Sequence, residues 1–225
     1  EYYAKFKIPA QFRGNVSFDA VDMAGNISNA KDKNVVVVDN VAPGISVTYD
    51  NNNVLNDKYY TADRTATIRI EEANFFEEDL DDGLLVITVE KTLDDGKYTK
   101  ENIKPEFTKN GDVYTATVKF DENADYTFDI KYTDRSGNVY DSYDMDVFTI
   151  DKINPVINVE FDNDAINDNQ FKADRVADIE VVEHNFDASL INIAMTATNG
   201  TNQVPRVSAW SRTGDVSRAT IEFAD

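Results

Sequence analysis

The chain contains no cysteine, one histidine and one tryptophan. Without cysteine there can be no disulfide, no thiol nucleophile and no Cys–His zinc spacing. His184 stands alone, which leaves histidine-based nucleophilic catalysis with little to work from. Basic residues are also scarce: 22 Lys and Arg face 42 Asp and Glu, for a net charge of −20. That sign is wrong for a nucleic-acid partner, whose phosphates require cations, and for adsorption to anionic lipid. No apolar run approaches the roughly 20 residues of a membrane-spanning helix. No signal peptide or lipidation motif is present, so the addressing segments of a secreted protein are expected outside these residues. What is present, 41% apolar and 11% aromatic residues, suffices for cores and rules out a disordered chain.

The most organised stretch runs from Tyr126 to Pro155. Phe128, Ile130 and Tyr132 alternate with Thr127, Asp129 and Lys131, the period of a half-buried strand. Asp134, Gly137 and Asn138 then read as a tight turn. Val147, Phe148 and Ile150 restore a strand, and Pro155 belongs at a strand start or an edge, since proline cannot donate to a central ladder. The same pattern is written earlier: Asp22, Gly25, Asn26 and Pro43 precede Asp134, Gly137, Asn138 and Pro155 by one constant offset. The block from Tyr60 to Phe75 recurs as Phe171 to Phe186 at almost the same offset. A tandem array of one module follows, with a repeat of about 112 residues.

Taken in order, residues 1–38 read as the C-terminal part of a module, 39–150 as a complete one and 151–225 as the N-terminal part of a further one. Strands are expected over Tyr2–Ile8, Val16–Ala20 and Val35–Val38, then Ile45–Tyr49, Ala66–Ile70, Leu85–Val89 and Val113–Phe120. A short helical turn is expected within Asn74–Asp82. About seven short strands per module, with turn signals every ~8–12 residues, predict an all-β sandwich.

Three features carry a resemblance: the Ile150-Asp151 to Pro155 junction, the stretch from Arg64 to Phe75, and the Tyr132-to-Asn138 hairpin. Together they resemble the tandem immunoglobulin-like repeats of large Gram-positive cell-surface proteins, over essentially the whole chain. Absence of cysteine is unsurprising in such domains. Tyr126 resembles the tyrosine corner of immunoglobulin folds, with Gly14 at the matching place in the front segment. The resemblance implies an extracellular stalk or adhesive segment without enzymatic activity, wall attachment lying in other segments, and neighbouring modules as partners. The alternative is a module binding carbohydrate or a protein ligand. An accessory domain of a surface enzyme is a third class.

Candidate sites follow from residue type. Asp50, Asp57, Asp162, Asp164 and Asp168 lie in polar loops, and Asp39 and Asp151 lie at module junctions. Carboxylates of this kind suit calcium, which takes six to eight oxygen ligands, although Asp and Asn are also ordinary turn residues. Glu72 and Glu183, with Asn74 and Asn185, read as acceptors for loop backbone, and Asp22 and Asp134 as acceptors within their turns. Gly25, Asn26, Gly137, Asn138, Tyr126, Pro43 and Pro155 are assigned structural roles. Arg64 and Arg175 read as surface ion pairs with Asp63 and Asp174. Trp210 reads as core, matching Phe107, or as a sugar-stacking platform. Closing strands at the front and opening strands at the rear predict head-to-tail completion of split modules between molecules.

Overall fold

The structure, a computed structural model, describes residues 3–31, 34–196, 198 and 205–223. It divides into two compact units, Glu1–Lys152 and Ile153–Asp225. The described residues form strands, turns and two short 3₁₀ segments, Glu77–Asp79 and Ala188–Leu190, with no α-helix among them. None of the helical segments is long and apolar enough to cross a membrane.

In the first unit, β1 (Phe12–Gly14), β2 (Ser17–Val21), β3 (Ile27–Lys31) and β4 (Val36–Val38) form two small ladders, β1 with β4 and β2 with β3. The larger body has ten strands. They are β5 (Gly44–Tyr49), β6 (Tyr59–Tyr60), β7 (Arg64–Glu71), β8 (Leu85–Leu93), β9 (Tyr98–Ile103), β10 (Thr108–Asn110), β11 (Val113–Phe120), β12 (Ala124–Thr133), β13 (Val139–Tyr140) and β14 (Asp146–Ile150). One sheet runs β10-β11-β7-β5 and the other β6-β14-β12-β8-β9, with β13 on β12.

Alternation in the sequence decides which side of each strand turns inward. On β7, Arg64, Ala66, Ile68 and Ile70 are buried while Arg69 and Glu71 are exposed. On β12, Ala124, Tyr126, Phe128, Ile130 and Tyr132 are buried. The inward faces of both sheets supply a single core. Phe120 of β11 meets Phe128 and Phe148 of the other sheet with ring centroids 5.5 and 5.1 Å apart. Each such large apolar side chain contributes roughly 1.5–3 kcal/mol on burial. The body is therefore an all-β, sandwich-like structure.

Tyr126 closes its end of the core. Its hydroxyl donates to the Glu122 carbonyl at 3.2 Å and can accept the Glu122 N–H at 3.3 Å, and burial pushes the phenol up to about 12. At Gly14, the position matched to it in sequence, a Cβ would stand 3.2 Å from the Phe12 ring. A ring from two residues earlier thus lies over the backbone where the larger body carries its tyrosine.

The second unit contains β15 (Val156–Phe161), β16 (Arg175–Val182), β17 (Arg206–Val207), β18 (Ser211–Thr213) and β19 (Val216–Phe223). They form one sheet of order β15-β16-β19-β17, with β18 also on β19. Pro43 and Pro155 sit immediately before β5 and β15, where a missing N–H breaks no ladder.

Two expectations are corrected, and one strand is added. No strand forms where Ala4, Phe6 and Ile8 alternate, and Tyr2 lies outside the described residues; Pro9 ends that stretch without a donor. The strand β9 went unforeseen, because Lys100, Glu101 and Asn102 give it the charged character of a sheet edge. Arg64 is not a surface ion pair. Its guanidinium lies 3.7 Å from the Tyr49 ring centroid and 3.9 Å from that of Tyr60, and its Nε donates to the Asn51 carbonyl. Asp63 pairs instead with Lys152 and Lys119. Arg175 repeats the cradle between Phe161 and Phe171 and bonds Asn163. A lysine cannot stack as a plane, so Arg64→Lys should cost about 2 kcal/mol in chemical unfolding. A cost below about 0.5 kcal/mol would return Arg64 to the surface-pair reading.

Candidate metal centre

Among the described residues, one group of three acidic side chains could hold a metal ion. Asp39, Glu72 and Asp134 each place a carboxylate oxygen within 4.8 Å of the others. They arrive from three parts of the chain: Asp39 from the segment between β4 and β5, Glu72 from just beyond β7, and Asp134 from the turn after β12.

Asp134 is built in most firmly. It is 2% exposed, and its Oδ1 accepts the N–H groups of Ser136 and Asn138 at 2.9 and 2.8 Å while Oδ2 accepts the Asn138 amide at 2.8 Å. Gly137 permits this turn through its φ of 88°. Asp22 makes the same three bonds to Ala24, Asn26 and the Asn26 amide, with Gly25 at φ 87°. There, however, the turn is exposed. Glu72 accepts the Asn74 N–H at 2.7 Å, as Glu183 accepts that of Asn185. Asp39 accepts from the Asn74 amide at 2.6 Å, the Val41 N–H at 3.1 Å and the Gln11 amide at 3.3 Å.

Among the described residues no lysine or arginine pairs with these three carboxylates; the nearby Arg13 bonds the Asn74 side-chain oxygen instead. The electrostatic consequence divides the group. Burial, and then the charges of Asp39, Asp134 and Asp79, raise the Glu72 carboxyl above its ordinary value. Burial also pushes Asp39 upward, but the hydrogen bonds from Val41, Asn74 and Gln11 outweigh it and hold that carboxyl below its ordinary value. Glu72 is thus a member of the cluster whose charged form burial and the neighbouring carboxylates disfavour. Each carboxylate oxygen has two lone pairs, so the bonds already made leave acceptor capacity for a hard ion such as calcium.

The other sequence candidates do not join this group. Asp50 Oδ1 accepts the Thr65 N–H at 2.7 Å, and Asp162 Oδ1 accepts that of Val176 at 2.9 Å. Asp57 and Asp168 occupy left-handed turn positions, at φ 70° and 46°. Asp164 lies in the polar loop after β15, and the Asp151 N–H bonds the Tyr60 carbonyl. Neither belongs to the cluster. Trp210 packs on Phe186 with centroids 5.0 Å apart, much as Phe107 packs on Phe75 at 5.2 Å. Sequence reasoning named Asp39 as a metal ligand but read Glu72 and Asp134 as backbone acceptors. They are that too; their convergence with Asp39 is a tertiary fact.

The raised Glu72 carboxyl has a testable sign. An acid whose pKa rises on folding destabilises the fold at neutral pH, and that penalty fades as pH falls through the folded value. The melting temperature should therefore rise on mild acidification. It should fall again below the ordinary carboxylate range, where Asp39, held low, loses the stability its ionised form supplies. Glu72→Gln should remove the rise and keep the fall. Calcium bound here should raise the neutral-pH melting temperature relative to chelator, through a stabilisation of about 2.7 kcal/mol at a hundredfold excess over Kd. Identical melting in calcium and chelator would contradict the metal reading.

Comparison with known protein families and with curated proteins returns no match for this chain.

Proposed function

We propose that the chain is a structural spacer built of tandem immunoglobulin-like modules, part of a bacterial cell-surface protein of the Gram-positive type, working extracellularly and without catalysis. In this reading residues 39–150 are one whole module, while 1–38 and 151–225 belong to its neighbours. The observation that carries it is recurrence of the same bonds at a nearly constant spacing. Asp22 and Asp134, Asp50 and Asp162, Arg64 and Arg175, and Glu72 and Glu183 each make matching contacts one repeat apart. Repetition of scaffold contacts, rather than of a reactive group, suits a part whose task is length and stiffness. The Asp39 linker, fastened to Asn74, is the feature that would limit bending, and calcium at Asp39, Glu72 and Asp134 would stiffen it. The acidic surface would keep neighbouring rods apart.

Binding of the chain and of Trp210→Ala to a panel of cell-wall and host glycans tests this against the ligand-binding reading. The spacer reading expects no signal that depends on Trp210. A glycan bound by the chain and lost in the variant would contradict it.

A further inference from the structure

The two units carry one ladder in the same register. Val113↔Glu71 through Phe120↔Arg64, on β11 and β7, match Val216↔Val182 through Phe223↔Arg175, on β19 and β16. On its other edge β19 meets two short strands. β18 sets Ser211 against Arg218, and β17 sets Arg206 against Glu222 and Val207 against Ile221. Between them the Ser208 N–H donates to the Thr220 carbonyl at 2.9 Å, and the Ser208 hydroxyl accepts the Thr220 N–H at 2.9 Å. The edge of β19 is covered.

The equivalent edge of β11 is covered only in part. β10 sets Thr108 against Thr115, as β18 sets Ser211 against Arg218, and goes no further. The residues that would continue it are Phe107, buried in the core, and Pro105, which has no N–H to give. Among the described residues no strand of the larger body stands where β17 stands. The Glu72 N–H donates to the Asp112 carbonyl at 3.0 Å. Asp112 and every second residue after it therefore form the hydrogen-bonded pairs with β7. Thr117 and Lys119 turn their N–H and C=O groups the other way, to the side β17 occupies in the second unit. Thr117 is exposed, and no described residue meets those groups.

A cleft of about 180 Å³ opens beside this stretch, between β8 and β9 of one sheet and the end of β11 in the other. Val89, Ile103, Val118, Phe120 and Tyr126 line it, leaving room for one apolar side chain. Val118 is half-buried, whereas its counterpart Ile221, opposite Val207, is 2% exposed. The edge of β9 is guarded by the charges of Lys100 and Glu101. On β11 the charge of Lys119 is held by Asp121 and Asp63, at 3.0 and 3.4 Å. Around the cleft the carboxylates of Glu101, Asp121 and Glu122 outnumber the ammonium groups of Lys91 and Lys119, and the whole chain carries a net charge of −20.

We propose that the free edge of β11 at Thr117 and Lys119, with the cleft beside it, is a docking site for an extended basic segment of a partner protein. The segment adds to the sheet as a further antiparallel strand. Its backbone meets the N–H and C=O groups of Thr117 and Lys119, in the place where Ser208 meets those of Thr220. Its apolar residue enters the cleft opposite Val118, as Val207 stands opposite Ile221. Its cation belongs beyond Lys119, against Asp121 and Glu122, because like charges directly opposite each other repel. The acidic chain draws such a segment in from a distance. The site holds whether or not the chain is a spacer.

Fluorescence anisotropy of the labelled peptide Arg-Ser-Thr-Val-Thr-Arg with the full chain tests this. It should bind about tenfold more tightly than Asp-Ser-Thr-Val-Thr-Asp, with a gap that narrows in added salt. N-methylation of its two threonine nitrogens should weaken binding about tenfold, since that removes backbone donors and leaves every side chain in place. Val118→Lys in the protein should abolish binding, with unchanged near-UV circular dichroism showing that the fold is kept. Amide exchange at Thr117 and Lys119 should slow about tenfold at saturating peptide. Absence of binding at millimolar peptide would overturn the docking site, as would binding that leaves those two amides exchanging freely. Equal binding of the acidic peptide, or no loss on N-methylation, would overturn the basic strand as its occupant. Exchange at Thr117 that slows in the chain alone as its concentration rises would assign the edge to a second copy and overturn the partner.

Discussion

Phe148→Ala should cost about 3–5 kcal/mol of stability in chemical unfolding, the range for removing a large buried aromatic side chain. Phe148 is 2% exposed and sits where both sheets meet. Tyr49 and Phe120 of one sheet lie 6.0 and 5.1 Å from it, and Tyr60 and Tyr126 of the other lie 6.1 and 5.4 Å away. The Arg64 guanidinium stands 4.6 Å from the same ring. Truncation would open a cavity and remove one of the rings that screen a buried cation. The exposed neighbour supplies the control, since Val147→Ala should change stability by no more than about 0.5 kcal/mol. A loss below about 1.5 kcal/mol at Phe148 would mean that the two sheets do not share this core.

Asp134→Ala should cost about 3 kcal/mol, whereas Asp22→Ala should scarcely register. Both carboxylates accept the same three N–H donors at nearly the same distances. The difference is burial, because a donor that loses its partner in the open is met by water and one that loses it inside is not. Removing Asp134 also relieves Glu72 of a neighbouring charge, which keeps the cost below the sum of three charged hydrogen bonds. The variant should therefore lower the Glu72 pKa, read by carboxylate chemical shifts through a pH titration. Equal losses at Asp22 and Asp134 would show that burial does not govern the value of this turn.

Much of the scaffold could be read from residue order. Alternation located β5, β7, β11 and β12 to within a few residues, because each has one wet and one apolar face. The Gly137 and Gly25 turns were legible since a positive φ restricts the choice of residue. Charged β9 was not, because an edge strand facing water carries no apolar period. Nor was the setting of Arg64. Its neighbours in sequence are polar, and the rings that enclose it come from Tyr49, Tyr60 and Phe148. Of the candidate metal centre only Asp39 was legible, because its place at a junction drew notice. Glu72 and Asp134 lie far apart in the chain, and each was explained by a local backbone bond. Only folding brings the three together.

Pulling single molecules of the chain from its two ends addresses the central claim, one self-contained mechanical module spanning residues 39–150. A sandwich closed by β14 against β6, β12 and the shared core should resist and then yield in one event. That event should release roughly 35–40 nm of contour, from about 112 residues at up to ~3.6 Å each less the folded span. Calcium should raise the force of the same event without changing its length. Gradual extension with no discrete release, or release in several small steps, would contradict a spacer built from whole modules.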